Sequence, residues 1–138
     1  MSLTDCRLID LPKISEKRGN LTFIESSNQI PFKIELVFYI YDIPSGETRG
    51  AHANKLVEEF VICVSGSLDV KLDDGLDKAT VHLNRPFKGL YIPPLTWCNM
   101  ENFAPGTVYV VLASTKFDNG DYVRDYDEFT ELASRHRV

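Results

Sequence analysis

The stretch with the most chemistry in it is Gly46-Glu47-Thr48-Arg49-Gly50-Ala51-His52-Ala53-Asn54, followed by Glu59 and Gly66. On a strand, residues two apart share a face, so His52 and Asn54 project the same way. If that face lines a cavity, an imidazole and an amide converge on it. Imidazole changes charge near neutrality, which makes His52 the candidate for moving a proton. A lone His is more often a hydrogen-bonded structural residue, but Arg49, Gly50 and Asn54 around this one favour chemistry. His82 falls on the solvent side of a hairpin and His136 in the basic tail, with no such company. A second cluster, Pro93-Pro94-Leu95-Thr96-Trp97-Cys98, sets the only Trp beside a thiol. Trp97 is either core or a pocket wall for a base or sugar. Cys98 is either a small buried hydrophobe or a titrating thiol, if its pKa is lowered.

Short β-like runs divided by turn signals must position these groups. Leu21–Glu25, Phe32–Tyr41, Phe60–Val64, Leu68–Leu72, Ala79–Leu83, Gly89–Ile92 and Thr107–Ala113 read as strands. Asp73-Asp74-Gly75 is a tight hairpin signal. Only Tyr126–Leu132 has helical spacing, and Arg135-His136-Arg137 reads as a frayed end. Strands at short regular spacing without intervening helices predict an all-β sandwich or barrel.

The 138 residues fit one domain, 1–138, and 43% hydrophobic content is ordinary for a globular chain. Net charge is -5 with the 15 basic residues scattered, which argues against a nucleic-acid partner, since that needs clustered Lys and Arg. The start lacks a signal-peptide pattern, and no apolar run approaches the roughly 18 residues of a membrane span. Cys6, Cys63 and Cys98 have no CxxC spacing, so free thiols in a reducing cytoplasm are expected rather than disulfides.

The first cluster resembles the first cupin motif, Gly-x5-His-x-His-x3–4-Glu-x6-Gly, with Asn54 at the second His. The second resembles Pro-x-Gly-x-x-His, with Leu95 at the Gly and Cys98 at the His. A cupin metal would then face His52, Asn54, Glu59 and Cys98. An amide oxygen is a poor ligand for zinc or iron, and the set lacks the usual nitrogens, so no bound metal or other cofactor is expected. The resemblance implies an antiparallel jelly-roll barrel of cupin type with a short C-terminal helix.

A narrower likeness runs from about Arg7 to Leu132. Arg18-Gly19-Asn20-Leu21-Thr22-Phe23-Ile24-Glu25, Ile30–Ile34, Val37–Ile40, Arg49–Lys55, Gly89–Ile92 with Pro94 and Trp97, Val111–Ser114 and Asp121–Phe129 occur together in order. The set resembles the WxcM-like, FdtA/QdtA-type sugar 3,4-ketoisomerases, which act on dTDP-4-keto-6-deoxyglucose. That likeness implies a metal-free reaction on a nucleotide sugar. It also implies a dimer with exchanged N-terminal strands, and a supply role for bacterial surface polysaccharide sugars. It further implies Arg49 as diphosphate anchor, His52 as first His of His-x-His and Tyr39 as the phenol lining the sugar site. Tyr91 and Trp97 become pocket walls, and Asn54 and Cys98 substrate contacts.

The chain departs from the family pattern at four places. The second His, to which the acid–base role is assigned, is Asn54; an Arg before the Val-Tyr-Tyr stretch is Leu36; the His or Arg that follows the family's Trp is Cys98; and the acid after it is Asn99. Two functions are therefore open, an isomerase and a binding module that has lost turnover. A catalyst needs another titratable group. Cys98 supplies one if its pKa is low, and Glu59 if it faces inward.

Overall fold

The computed structural model describes residues 3–137. A 3-10 turn at Leu3–Asp5 leads into β1 (Arg7–Asp10), and β2 (Lys13–Glu16) and β3 (Gly19–Thr22) form a separate hairpin. The barrel is built from β4 (Leu36–Ile40), β5 (Arg49–Asn54), β6 (Glu59–Ser65) and β7 (Leu68–Asp73). It continues through β8 (Lys78–Leu83), β9 (Lys88–Ile92), β10 (Trp97–Glu101) and β11 (Val108–Ala113). Last come β12 (Tyr122–Val123) and α1 (Tyr126–Arg135). One sheet has the order β1-β9-β6-β11-β4 and the other β12-β5-β10-β7-β8. Every pairing is antiparallel. This is the all-β sandwich expected, with its short C-terminal helix. Among the described residues no helix is long and apolar enough to cross a membrane.

The side-chain period of two decides what each strand faces. On β6, Val61 and Cys63 enter the space between the sheets, where Leu68, Val70, Leu72, Leu90, Ile92 and Val111 meet them. Phe60 and Ile62 point the other way, into a second cluster with Leu11, Ile30, Phe32, Tyr91 and Leu112. The first sheet is thus covered on both faces along most of β6, which is why that strand is a nearly continuous apolar run. On the second sheet, α1 covers Ala53 and Val123 with Phe129 and Ala133.

Three expectations need correction. The run Phe32–Tyr41 is a strand only over Leu36–Ile40, because Ile30 and Phe32 are spent plugging the outer cluster. The Asp-Gly signal is not a tight turn. Residues 74–77 form the loop between β7 and β8, and the Asp74 carboxylate accepts the Leu76 and Asp77 N–H groups at 2.8 Å each. Nor is the tail frayed. The Arg137 guanidinium donates to the Asp74 carbonyl at 3.1 Å, and the Leu3 N–H donates to the Asp74 carboxylate at 3.0 Å.

Candidate active site

β5 enters the barrel through a kink. Gly50 has φ +101°, and a Cβ there would lie 2.9 Å from the Cys98 carbonyl oxygen, so only glycine fits. Ala51 follows at φ 53°, and the pairing with β10 slips by one residue between Cys98 and Asn99. Beyond the kink, Ala53 turns outward under α1, which sends His52 and Asn54 inward. The Asn54 carbonyl is pinned by the Leu95 N–H at 2.8 Å. Leu95, standing where the second cupin motif has Gly, holds the left-handed φ of 58° that such a Gly would take.

Inside, the His52 ring meets Tyr122 edge-to-face with centroids 4.7 Å apart. Burial pulls its pKa below the usual 6.5; a hydrogen bond to the Gly50 backbone opposes this, and Arg124 adds to it. A neutral imidazole, able to accept a proton, is therefore the state favoured near neutral pH.

Glu59 shares the inward phase of Val61 and Cys63 and is only 7% exposed. Burial pushes its carboxyl up to about 7, against a hydrogen bond from the Asn54 amide, with Asp121 adding to the rise. Cys98, opposite His52 on β10, also faces inward, but burial drives its thiol far above the ordinary range, and Glu59 and Cys6 add to that. The lowered thiol pKa considered from the sequence is contradicted. Arg49 stays exposed and hydrogen-bonds the phenol of Tyr109, a β11 residue whose pKa burial raises. Leu36 and Phe38 close the cup with Phe117, whose ring lies 6.1 Å from Tyr122.

Of the seven residues singled out, Arg49, His52, Asn54 and Cys98 gather at this end of the barrel, and three do not. Tyr39 is 62% exposed and stacks near Tyr41 on the outside of β4, because Phe38 occupies the inward phase. Tyr91 lies on the outer face of the first sheet, donating to Glu58 at 2.6 Å beneath the Arg7 guanidinium. Trp97 packs outside the second sheet against Tyr126 and Phe129 of α1. Both sheets carry covered outer faces, so a buried aromatic need not be an inward one. The phenol that lines the cup is Tyr122, and Tyr109 lies buried between the sheets beside Arg49, stacked on Phe103; sequence reasoning missed both. Tyr109 had a signal, its place in the alternation of β11.

A much larger cavity, about 770 Å³, is elsewhere, on the outer face of the first sheet between Leu11, Phe23, Val37, Ile62 and Phe87. Its walls are mostly apolar and carry Lys13, Asn20 and Arg85 but no His or carboxylate, so the cup, narrow as it is at about 10 Å³, is the better candidate for proton transfer.

Two antiparallel sheets with a polar cup between them, fed by β5, β6 and β10, define a cupin-type barrel. The chain belongs to the FdtA family, described as WxcM-like, C-terminal, whose model matches residues 4–134. It is 40% identical over 129 residues to the TDP-4-oxo-6-deoxy-alpha-D-glucose-3,4-oxoisomerase of Aneurinibacillus thermoaerophilus, covering 94% of this chain and 93% of that one. It superposes with TM-score 0.96 at 38% identity on QdtA, a sugar 3,4-ketoisomerase from Thermoanaerobacterium thermosaccharolyticum solved with TDP, over 99% of this chain and 100% of that one. The WlaRB TDP-quinovose 3,4-ketoisomerase of Campylobacter jejuni matches at 42% identity and TM-score 0.89, over 92% of this chain and 98% of that one.

The raised carboxyl has a stability consequence. Between pH 4.5 and about 7 the folded chain keeps the Glu59 proton that the unfolded chain has lost, so stability falls as pH rises through that window. At about 1.4 kcal/mol per decade this amounts to roughly 3 kcal/mol at most. Glu59→Gln removes the burden. Its Tm is expected to exceed that of the wild type at pH 8 and to match it near pH 4, measured by thermal unfolding across pH.

Proposed function

We propose that the chain is an isomerase that moves the carbonyl of a dTDP-4-keto-6-deoxyhexose between C4 and C3 by proton transfer. The observation that carries this reading is His52, set part-buried against Tyr122 of the cup with its pKa lowered by burial, in a barrel that matches sugar 3,4-ketoisomerases along nearly its whole length. His52 takes the proton from C3; the C–H electron pair forms the C3–C4 double bond, and the carbonyl pair moves to O4, which takes up a proton to give the enediol. The enediol then loses its O3 proton as C4 is protonated, leaving the ketone at C3. Arg49, exposed on β5, takes the diphosphate with paired N–H donors. Asn54 offers its amide to a sugar oxygen.

The test is NMR of dTDP-4-keto-6-deoxyglucose incubated with the protein in heavy water. A 3-keto product and deuterium at C3 of recovered substrate are expected. Binding of TDP with neither change would replace the isomerase by the non-catalytic module.

The reading extends to a cytoplasmic homodimer that supplies sugars for surface polysaccharides, lipopolysaccharide among them. Self-association is supported by exposed Leu21, Phe23, Val37, Tyr39 and Val64 around the outer groove. It is also supported by the β2–β3 hairpin, which pairs with neither barrel sheet.

A further inference from the structure

Shifting a carbonyl between neighbouring carbons moves two kinds of proton. One leaves C3 and one arrives at C4, while another leaves O3 and one arrives at O4. A single imidazole can serve the carbons, since it stays beside the same face of the enediol, but the oxygen pair needs its own shuttle. Asn54 cannot be that shuttle, because an amide does not titrate.

The other inward groups narrow the choice. Cys98, Tyr109 and Tyr122 are all pushed by burial away from neutrality, and Arg49 is always charged. The Asp121 carboxylate is committed to the Leu56 and Val57 N–H groups at 3.0 and 3.2 Å, and Glu58 to the Tyr91 hydroxyl. Glu59 alone among these carboxylates has no structural duty of that kind. It lines the cup with Asn54 and Tyr122, and its one side-chain partner is the Asn54 amide.

We propose that Glu59 is the second proton-transfer group of this site, its carboxyl held by Asn54 and carrying the proton between the two sugar oxygens while His52 serves the carbons. The proposal rests on the ketoisomerase reading above. The protonated carboxyl donates to O4 as His52 takes the C3 proton. The carboxylate so formed then takes the O3 proton as His52 returns its own to C4. Both groups end as they began, and no oxidant or reductant is needed.

The protonation states suit that order. With His52 below its usual 6.5 and Glu59 up at about 7, a neutral imidazole and a protonated carboxyl coexist near neutrality. Burial, Asn54 on β5 and Asp121 beside β12 set the carboxyl's titration; Cys98 on β10, Tyr109 on β11 and Tyr122 on β12 feel its charge, and Lys116 and Asp118 line the same cup. From β4 only apolar side chains face it.

The test is Glu59→Gln, which keeps the shape and a hydrogen bond to Asn54 but not the titration. Deuterium exchange at C3 is expected to persist, while net isomerisation falls by about 10²- to 10⁴-fold. Adding Asn54→His to that variant is expected to restore turnover at least in part, by supplying a titrating group from the neighbouring position. Wild-type turnover should decline above pH 7, a limb absent from the residual activity of Glu59→Gln. Undiminished turnover in Glu59→Gln overturns the proposal, as does joint loss of exchange and turnover that Asn54→His does not repair. Should Glu59→Gln not fold, a wild-type kcat that is flat from pH 6 to 9 overturns it equally. A wild type that neither exchanges nor isomerises overturns the underlying reading, and the proposal with it.

Discussion

His52→Ala is expected to lower kcat by about 10²- to 10⁴-fold with TDP binding essentially intact. Alanine gives up the imidazole's hydrogen bond to the Gly50 backbone, but the β10 pairing and the Leu95 N–H bond to the Asn54 carbonyl keep the strand and its kink. What goes is the one group of the cup that is neutral and basic near pH 7. Its ring also fills the space against Tyr122, so some packing is lost, but the residue is only part-buried and the fold has other anchors. Because His52 begins the reaction, exchange at C3 should vanish together with turnover, whereas Glu59→Gln should separate them. Turnover within a factor of two of the wild type would remove His52 from the mechanism.

Phe60→Ala should produce the largest loss of stability, about 3–5 kcal/mol, or a fall in Tm on the order of 10 °C or more. Phe60 is fully buried on the outer face of the first sheet, with Leu11, Ile30, Phe32 and Leu112 about it. Its ring lies across Gly89, where an added Cβ would come within 2.2 Å of Cζ, a distance real atoms do not adopt. Gly89→Ala is therefore destabilising while the ring is present and close to neutral once Phe60 is alanine. Denaturant unfolding of the two single variants and the double closes the cycle. Additive losses would mean that the ring and the glycine do not share one space.

The inward phase of β5 was readable because its polar residues sit two apart between alanines, so a period of two has a visible contrast. On β4 there is none. Val37, Phe38, Tyr39, Ile40 and Tyr41 are apolar or aromatic in succession, and only the pairing with β11 decides that Phe38 enters and Tyr39 leaves. A one-residue error of phase then exchanges the faces completely. Tyr91 and Trp97 misled for another reason. The N-terminal segment and α1 give each sheet a second buried face that no local pattern announces. β1, β2, β10 and β12 escaped notice because they are short or polar and exist through their partners. Glu59 reads locally as a surface charge before an apolar strand. Its phase with Val61 and Cys63 marks it as interior, and that mark has meaning only once the strand is known to face a core.

Asp74 binds the segments around Leu3 and Arg137 to one turn. Residues far apart in the chain are thereby neighbours. The β7–β8 turn is a clasp as well as a hairpin loop, and loosening it would release both stretches at once.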